Sequence, residues 1–125
     1  MNPRGKAGAM AMKRLLTEFG MGSSLRRQDY TSAAKKALQD ALWHNSINLA
    51  ELFGAEKQAM QILVEIGVAQ PDQVDTSQLA EIFPYGDLTF RVVEGGLDVP
   101  RPDGGAPTVI ANVALSVSLD LEEVA

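Results

Sequence analysis

Apolar residues alternate with polar ones through most of the second half of the chain. Met60, Ile62, Val64, Ile66 and Val68 fall at every second position of 58–68. Val109, Ala111, Val113, Leu115, Val117, Leu119 and Leu121 do the same through 108–121. A period of two predicts strands with one buried face. Residues 87–93 repeat it with Leu88, Phe90 and Val92. A shorter strand is expected over 12–19, with Leu15, Thr17 and Phe19 on one face and Leu16 and Glu18 on the other. The period changes over 31–45, where Ala34, Leu38, Ala41 and Leu42 recur at helical spacing. Asp29 or Thr31 would cap that helix, and its alanines would let it lie close to whatever it covers. Asp75-Thr76-Ser77-Gln78 has the form of a capping box and predicts a short helix over 76–83, stopped by Pro84-Tyr85-Gly86. Leu49, Leu52 and Phe53 suggest one helical turn in 48–57. Gly20-Met21-Gly22 reads as a sharp turn between the first strand and the helix, and 96–107 as a long hairpin loop rich in proline and glycine.

The order strand–helix–strand–helix–strand–strand implies an α+β two-layer sandwich, its mixed four-stranded sheet covered by helices on one face. The last two strands would form a hairpin, with the final one long and apolar enough to be central. The uncovered face would carry Leu16, Glu18, Gln61, Leu63, Glu65, Thr89, Arg91, Val93, Ile110, Asn112, Ala114 and Ser116. That mixture fits either an ordinary half-wet face or a subunit interface. Residues 12–121 form the domain, with 1–11 expected as a flexible tail and 122–125 as an acidic one.

Composition narrows the partners. The 125 residues carry a net charge of −5, which argues against nucleic acid and against an anionic membrane surface. With no cysteine, disulfides and thiolate chemistry are excluded, and a single histidine cannot build a multi-histidine metal site. No metal site is expected. There is neither an apolar leader segment nor a run long enough to cross a membrane, so a cytoplasmic protein is expected.

Candidate chemistry gathers at turns. Gly20, Gly22, Ser23, Ser24 and Arg26, with Arg27 beside them, would make an anion nest of backbone N–H groups, hydroxyls and guanidinium forks, or else a plain tight turn. No lysine follows at P-loop spacing and the third glycine of a dinucleotide fingerprint is missing, so no cofactor is identified. His44 would end the helix, there either to complement its dipole or to act as a general acid or base. Glu94-Gly95-Gly96 closes the third strand, where Glu94 would move protons and the glycines would admit a ligand to the backbone. Glu18, Asp29 and Glu65 are further carboxylates, with ion pairing to nearby arginines as the plainer role.

Two resemblances add to this. The element order resembles the chorismate-mutase-like fold of the bacillus type, which implies trimers with sheets inside, helices outside and ligand sites between subunits. Arg26, Arg27, Arg91 and Arg101 are the arginines available for such a site. Gly20-Met21-Gly22, Gln28-Asp29, His44-Asn45-Ser46, Val93-Glu94-Gly95-Gly96-Leu97 and Ile110-Ala111-Asn112 together are similar to a family of small conserved hypothetical proteins of bacteria and plants with an early GxG signature. That family's pattern has an Asp and a His-Gly pair where this chain has Ser24 and Arg26-Arg27. The resemblance implies no assigned activity, and the departures imply altered or lost chemistry. The expected function is therefore binding of a small anionic molecule in a cleft between subunits of a homo-oligomer, with or without catalysis. A non-catalytic binding or assembly protein is the alternative.

Overall fold

The computed structural model describes residues 12–43, 60–82 and 86–120. The strongest alternation becomes β2 (Gln61–Val68), whose residues are half-buried and buried by turns along its whole length. Beside it lies the longest apolar repeat, β5 (Thr108–Asp120). β5 is antiparallel to β2 on one side and to β1 (Met12–Ser24) on the other. β3 (Asp87–Glu94) runs parallel to β2, so the mixed sheet has the order β1-β5-β2-β3. The final strand is central, as its apolar length implied, but its neighbours are β1 and β2 and not β3.

A fifth strand lies within the segment expected to be loop. β4 (Leu97–Val99) pairs with the start of β5, with Leu97 opposite Ile110 and Val99 opposite Thr108. To reach that place the chain crosses the end of β2. A Cβ on Gly95 would stand 3.2 Å from the Cα of Gly67, and one on Gly96, whose φ is +58°, would stand 2.1 Å from the carbonyl oxygen of Ile110. Gly95 and Gly96, expected to admit a ligand, here admit the protein's own backbone.

Helix α1 (Tyr30–Trp43) lies over β1, β5 and β2. Its buried face is Ala33, Ala34, Ala37, Leu38 and Ala41, packed on Ile62, Val64, Ile66, Val109, Val113, Leu115 and Val117. The expected turn at Gly20-Met21-Gly22 is instead uninterrupted strand, in which Gly20, Met21 and Gly22 pair with Val113, Asn112 and Ala111. Side chains two apart in a strand share a face, so both glycines look at α1. A Cβ on Gly20 would meet the carbonyl oxygen of Ala37 at 2.1 Å, and one on Gly22 would meet the Ala37 nitrogen at 2.3 Å. The glycines let helix backbone rest on strand backbone.

The phase of β1 is also the reverse of that expected. A register shift between Arg14 and Leu16 moves Thr17, Phe19, Met21 and Ser23 to the uncovered face and places Glu18 opposite the core residue Leu115. Thr17 pairs with Ser116 on that face, their hydroxyl oxygens 3.4 Å apart. The parity expected for β2, β3 and β5 matches the observed pairing.

Two side chains of α1 reach the outer margin of β1. Asp40 Oδ2 accepts from the Met21 N–H at 3.0 Å, and Lys36 Nζ donates to the Ser23 carbonyl at 3.1 Å. Beyond β2 a 3-10 turn (Pro71–Gln73) leads into α2 (Thr76–Ala80), shorter than the expected 76–83. Asp75 caps α2 by accepting from the Ser77 N–H at 3.0 Å. The Gln78 side chain donates to the Asp75 carboxylate instead of accepting from the Asp75 N–H, which Thr31 takes, so the capping box is only half formed. The Thr31 hydroxyl accepts from the Asp75 N–H at 2.9 Å and ties α2 to α1.

The Ser77 and Gln78 side chains, and then the Ser77 N–H, hold the Asp75 carboxyl below its usual value. A depressed carboxylate adds stability that is present above its ordinary pKa and lost as pH falls through the depressed one. Asp75→Asn should therefore flatten part of the acid limb of a chemical-melt pH profile. An unchanged acid limb would remove the cap from the acid response. His44, Trp43's side chain, the turn expected in 48–57, Phe83–Tyr85 and both expected tails lie outside what is described.

Candidate functional site

The loop from β1 to α1 turns at Leu25–Asp29 and opens a cleft of about 380 Å³. Ser24, Leu25, Arg26, Arg27, Asp29, Ser32 and Lys36 line it. Each arrives for a local reason. Ser24 is the last residue of β1 and is buried on the α1 side. Its hydroxyl accepts from the Asp29 N–H at 3.1 Å, which closes the loop. Asp29 Oδ1 accepts from the Ser32 N–H at 2.9 Å, and the Asp29 carbonyl accepts from the Ala33 N–H at 3.0 Å, so Asp29 caps α1. Ser32 and Lys36 stand one turn apart on one side of the helix. The Thr108 hydroxyl donates to the Leu25 carbonyl at 3.4 Å and joins the loop to the start of β5.

The cleft is positive within an acidic chain. Arg26, Arg27 and Lys36 face a single carboxylate, Asp29, which is engaged as a cap. Arg26 and Arg27 are exposed, and among the described residues neither guanidinium has an ion-pair partner. The N-terminus of the 14-residue α1 adds its own positive potential at the same place.

Under the loop sits a second polar group. Gln28, a non-glycine residue, adopts φ +51°, which costs about 1 kcal/mol and marks a conformation the surroundings enforce. Its side-chain amide donates to the Tyr30 hydroxyl at 3.1 Å. Tyr30 is 4% exposed, and its hydroxyl in turn donates to Asp98 Oδ2 in a short hydrogen bond. Asp98 Oδ1 is buried and has no protein partner. Burial, and next the bond to Asp98, raise the Tyr30 phenol above its usual pKa. This cluster joins the first residue of α1 to β4.

The sequence-derived candidates divide accordingly. Ser24 and Arg26 line the cleft, and Ser23 contributes its carbonyl to Lys36 beside it. Gly20 and Gly22 do not line it, because α1 covers them. Glu94 is exposed at the end of β3. β5 and β2 separate β3 from β1, so Glu94 stands at least about 14 Å from β1, three strand spacings away. Gly95 and Gly96 lie at the β2 crossing, away from the cleft residues. Glu65 forms an ion pair with Arg91 at 3.2 Å, and Arg101 pairs with Asp103. Ser32, Lys36, Tyr30 and Asp98 were not among the candidates. The spacing of Ser32 and Lys36 on a helix that follows two arginines was the available signal. Nothing in the sequence pairs Tyr30 with a residue 68 positions away. Among the described residues no three His, Cys, Asp or Glu side chains gather as a metal site, and no helix is long and apolar enough to cross a membrane.

Residues 14–117 match the model of a family described as "Conserved hypothetical protein (Lin0512_fam)". Among curated proteins none matches. The fold is similar to the crystal structure of an FtsZ-like protein of unknown function from Nostoc punctiforme PCC 73102, with a TM-score of 0.79 and 32% identity. That match covers 89% of this chain and 98% of the other.

Proposed function

This chain belongs to the Lin0512 family of conserved hypothetical proteins, and we propose that it binds a small anionic metabolite, bearing a phosphate or carboxylate, in the cleft between β1 and α1. The observation that carries this reading is the pair of exposed guanidiniums, Arg26 and Arg27, which have no ion-pair partner among the described residues and stand at the N-terminus of a capped helix. Arginine forks match the planar or tetrahedral oxygens of such groups, and charge-assisted bonds of this kind are about twice as strong as neutral ones. Lys36 and the hydroxyls of Ser24 and Ser32 complete the donor set. A catalytic role would need a proton carrier beyond Asp29, the cleft's one described carboxylate, which is already engaged in capping α1. Glu94 would have to come from a neighbouring copy, as in the intersubunit sites of the bacillus-type chorismate-mutase-like fold. The one-sided layer of described helices supports that resemblance.

The test is calorimetric titration and thermal melting with inorganic phosphate and with a short dicarboxylate. Binding to the native state alone raises the melting temperature. Arg26→Ala should weaken binding about tenfold, the loss of one charge-assisted contact of roughly 1.5 kcal/mol. Its own melting temperature should stay close to the parent's, because Arg26 is exposed. Indifference to both probes would sink the reading.

A second reading, a non-catalytic assembly protein, is favoured by the distribution of exposed apolar side chains. Phe19, Met21, Val93, Leu97 and Val99 share the sheet face opposite α1, which no helix among the described residues covers.

A further inference from the structure

We propose that the uncovered face of the sheet is a self-association surface, on which copies of this chain pack face to face with their helices outward. This deepens the assembly reading and needs nothing to bind in the cleft.

Six large apolar side chains are exposed among the described residues, and five of them are on this face. Phe19 and Leu97 are 68% and 63% exposed. Pairing registers fix their placement. Met21, Asn112, Gly67 and Val93 form one row across β1, β5, β2 and β3, and Phe19, Ala114, Glu65 and Arg91 form the next. Leu97 follows on the other side of β5, opposite Ile110. The apolar side chains thus stand at both margins, with small and polar residues between them. A two-fold axis parallel to the strands lays one margin of the face over the other margin of the partner copy, twice. Met21 then meets the partner row at Val93, and Phe19 meets it at Arg91, whose guanidinium can lie on the ring.

Charge favours the same occupant. The whole chain is at −5, so copies repel in general, but on this face Glu65 and Arg91 cancel in an ion pair. Area agrees as well. Four strands about 4.8 Å apart and about eight residues long span roughly 500 Å² in projection, and side-chain relief raises the accessible figure. A specific interface needs about 600–1,000 Å² from each partner.

The experiment is light scattering of the full chain after size exclusion, over a range of concentrations. The parent protein is expected at twice the 13.4 kDa chain mass or more. Phe19→Asp with Leu97→Asp should return it to a single chain mass with unchanged circular dichroism. Leu25→Asp, at an exposed apolar residue beyond β1, should keep the oligomer. If the double variant loses its fold, Leu97→Lys alone on the short β4 serves in its place. A parent that is a single chain at every concentration overturns the proposal, whether another protein or this chain's own residues 44–59 cover the face. An oligomer that survives the face substitutions overturns it too. Neither result bears on the anion titration, which is read separately.

Discussion

Gly22→Ala should destabilise the fold by about 2 kcal/mol or more. The added methyl falls 2.3 Å from the Ala37 nitrogen and 2.4 Å from the Ala33 carbonyl oxygen, which are helix backbone and cannot turn aside as a side chain would. Overpacking of that kind costs about 3 kcal/mol. Alanine recovers only about 0.5–1 kcal/mol by loosening the unfolded chain less than glycine does. The clash wins. For a domain of this size the melting temperature should drop by roughly 8 °C. Gly20→Ala meets the Ala37 carbonyl oxygen at 2.1 Å and the Ala41 nitrogen at 2.4 Å and should cost as much. The two together should leave little folded protein, since a whole domain is stable by only about 5–15 kcal/mol. Ser23→Ala, next to Gly22 but facing the other way, is the control and should change little. Urea melts of the four variants beside the parent check this. A Gly22→Ala protein as stable as the parent would mean that α1 lies further from β1 than the 2.3 Å approach allows.

Tyr30→Phe should cost about 2 kcal/mol and also change how stability depends on pH. The substitution removes the donor to Asp98 Oδ2 and leaves a carboxylate with one oxygen already unpartnered and buried. The pH effect follows from the direction of the Tyr30 shift. Its phenol is raised, first by burial and then by Asp98, so the folded state holds the proton longer than the unfolded chain does. That contribution is complete below the ordinary phenol value of about 10 and is lost as pH rises through the higher folded value. The parent should therefore lose stability on the alkaline side more steeply than Tyr30→Phe. Parallel curves through that range would detach Tyr30 from the alkaline response.

The legible parts of the fold were those where one period rules one segment. β2, β3 and β5 have both faces of their pattern in plain view, and α1 shows its alanine face. β1 was legible only up to Phe19, because glycine normally signals a break and Gly20-Met21-Gly22 sits where a turn was needed. The contrary signal lay elsewhere. A final strand of about fourteen alternating residues needs a partner of similar length, and an eight-residue β1 could not supply it. The phase of β1 was lost to the shift at Arg14/Leu16, since one added residue exchanges the faces of a strand. β4 was hidden because three residues between Gly96 and Pro100 carry no period. At the site, loop composition led to Ser24 and Arg26, while the Tyr30–Asp98 contact depends on β4 and was invisible without it.

The latches on β1 have a bearing on growth. Sheets extend most readily when an outer strand offers its backbone groups to an incoming chain, and such addition has no natural end. At Met21 and Ser23 those groups are already taken by Asp40 and Lys36 of the chain's own helix. An incoming strand would have to displace both bonds before it could pair there. The same two side chains that hold α1 across β1 thus close this margin of the sheet to strand addition at those two residues.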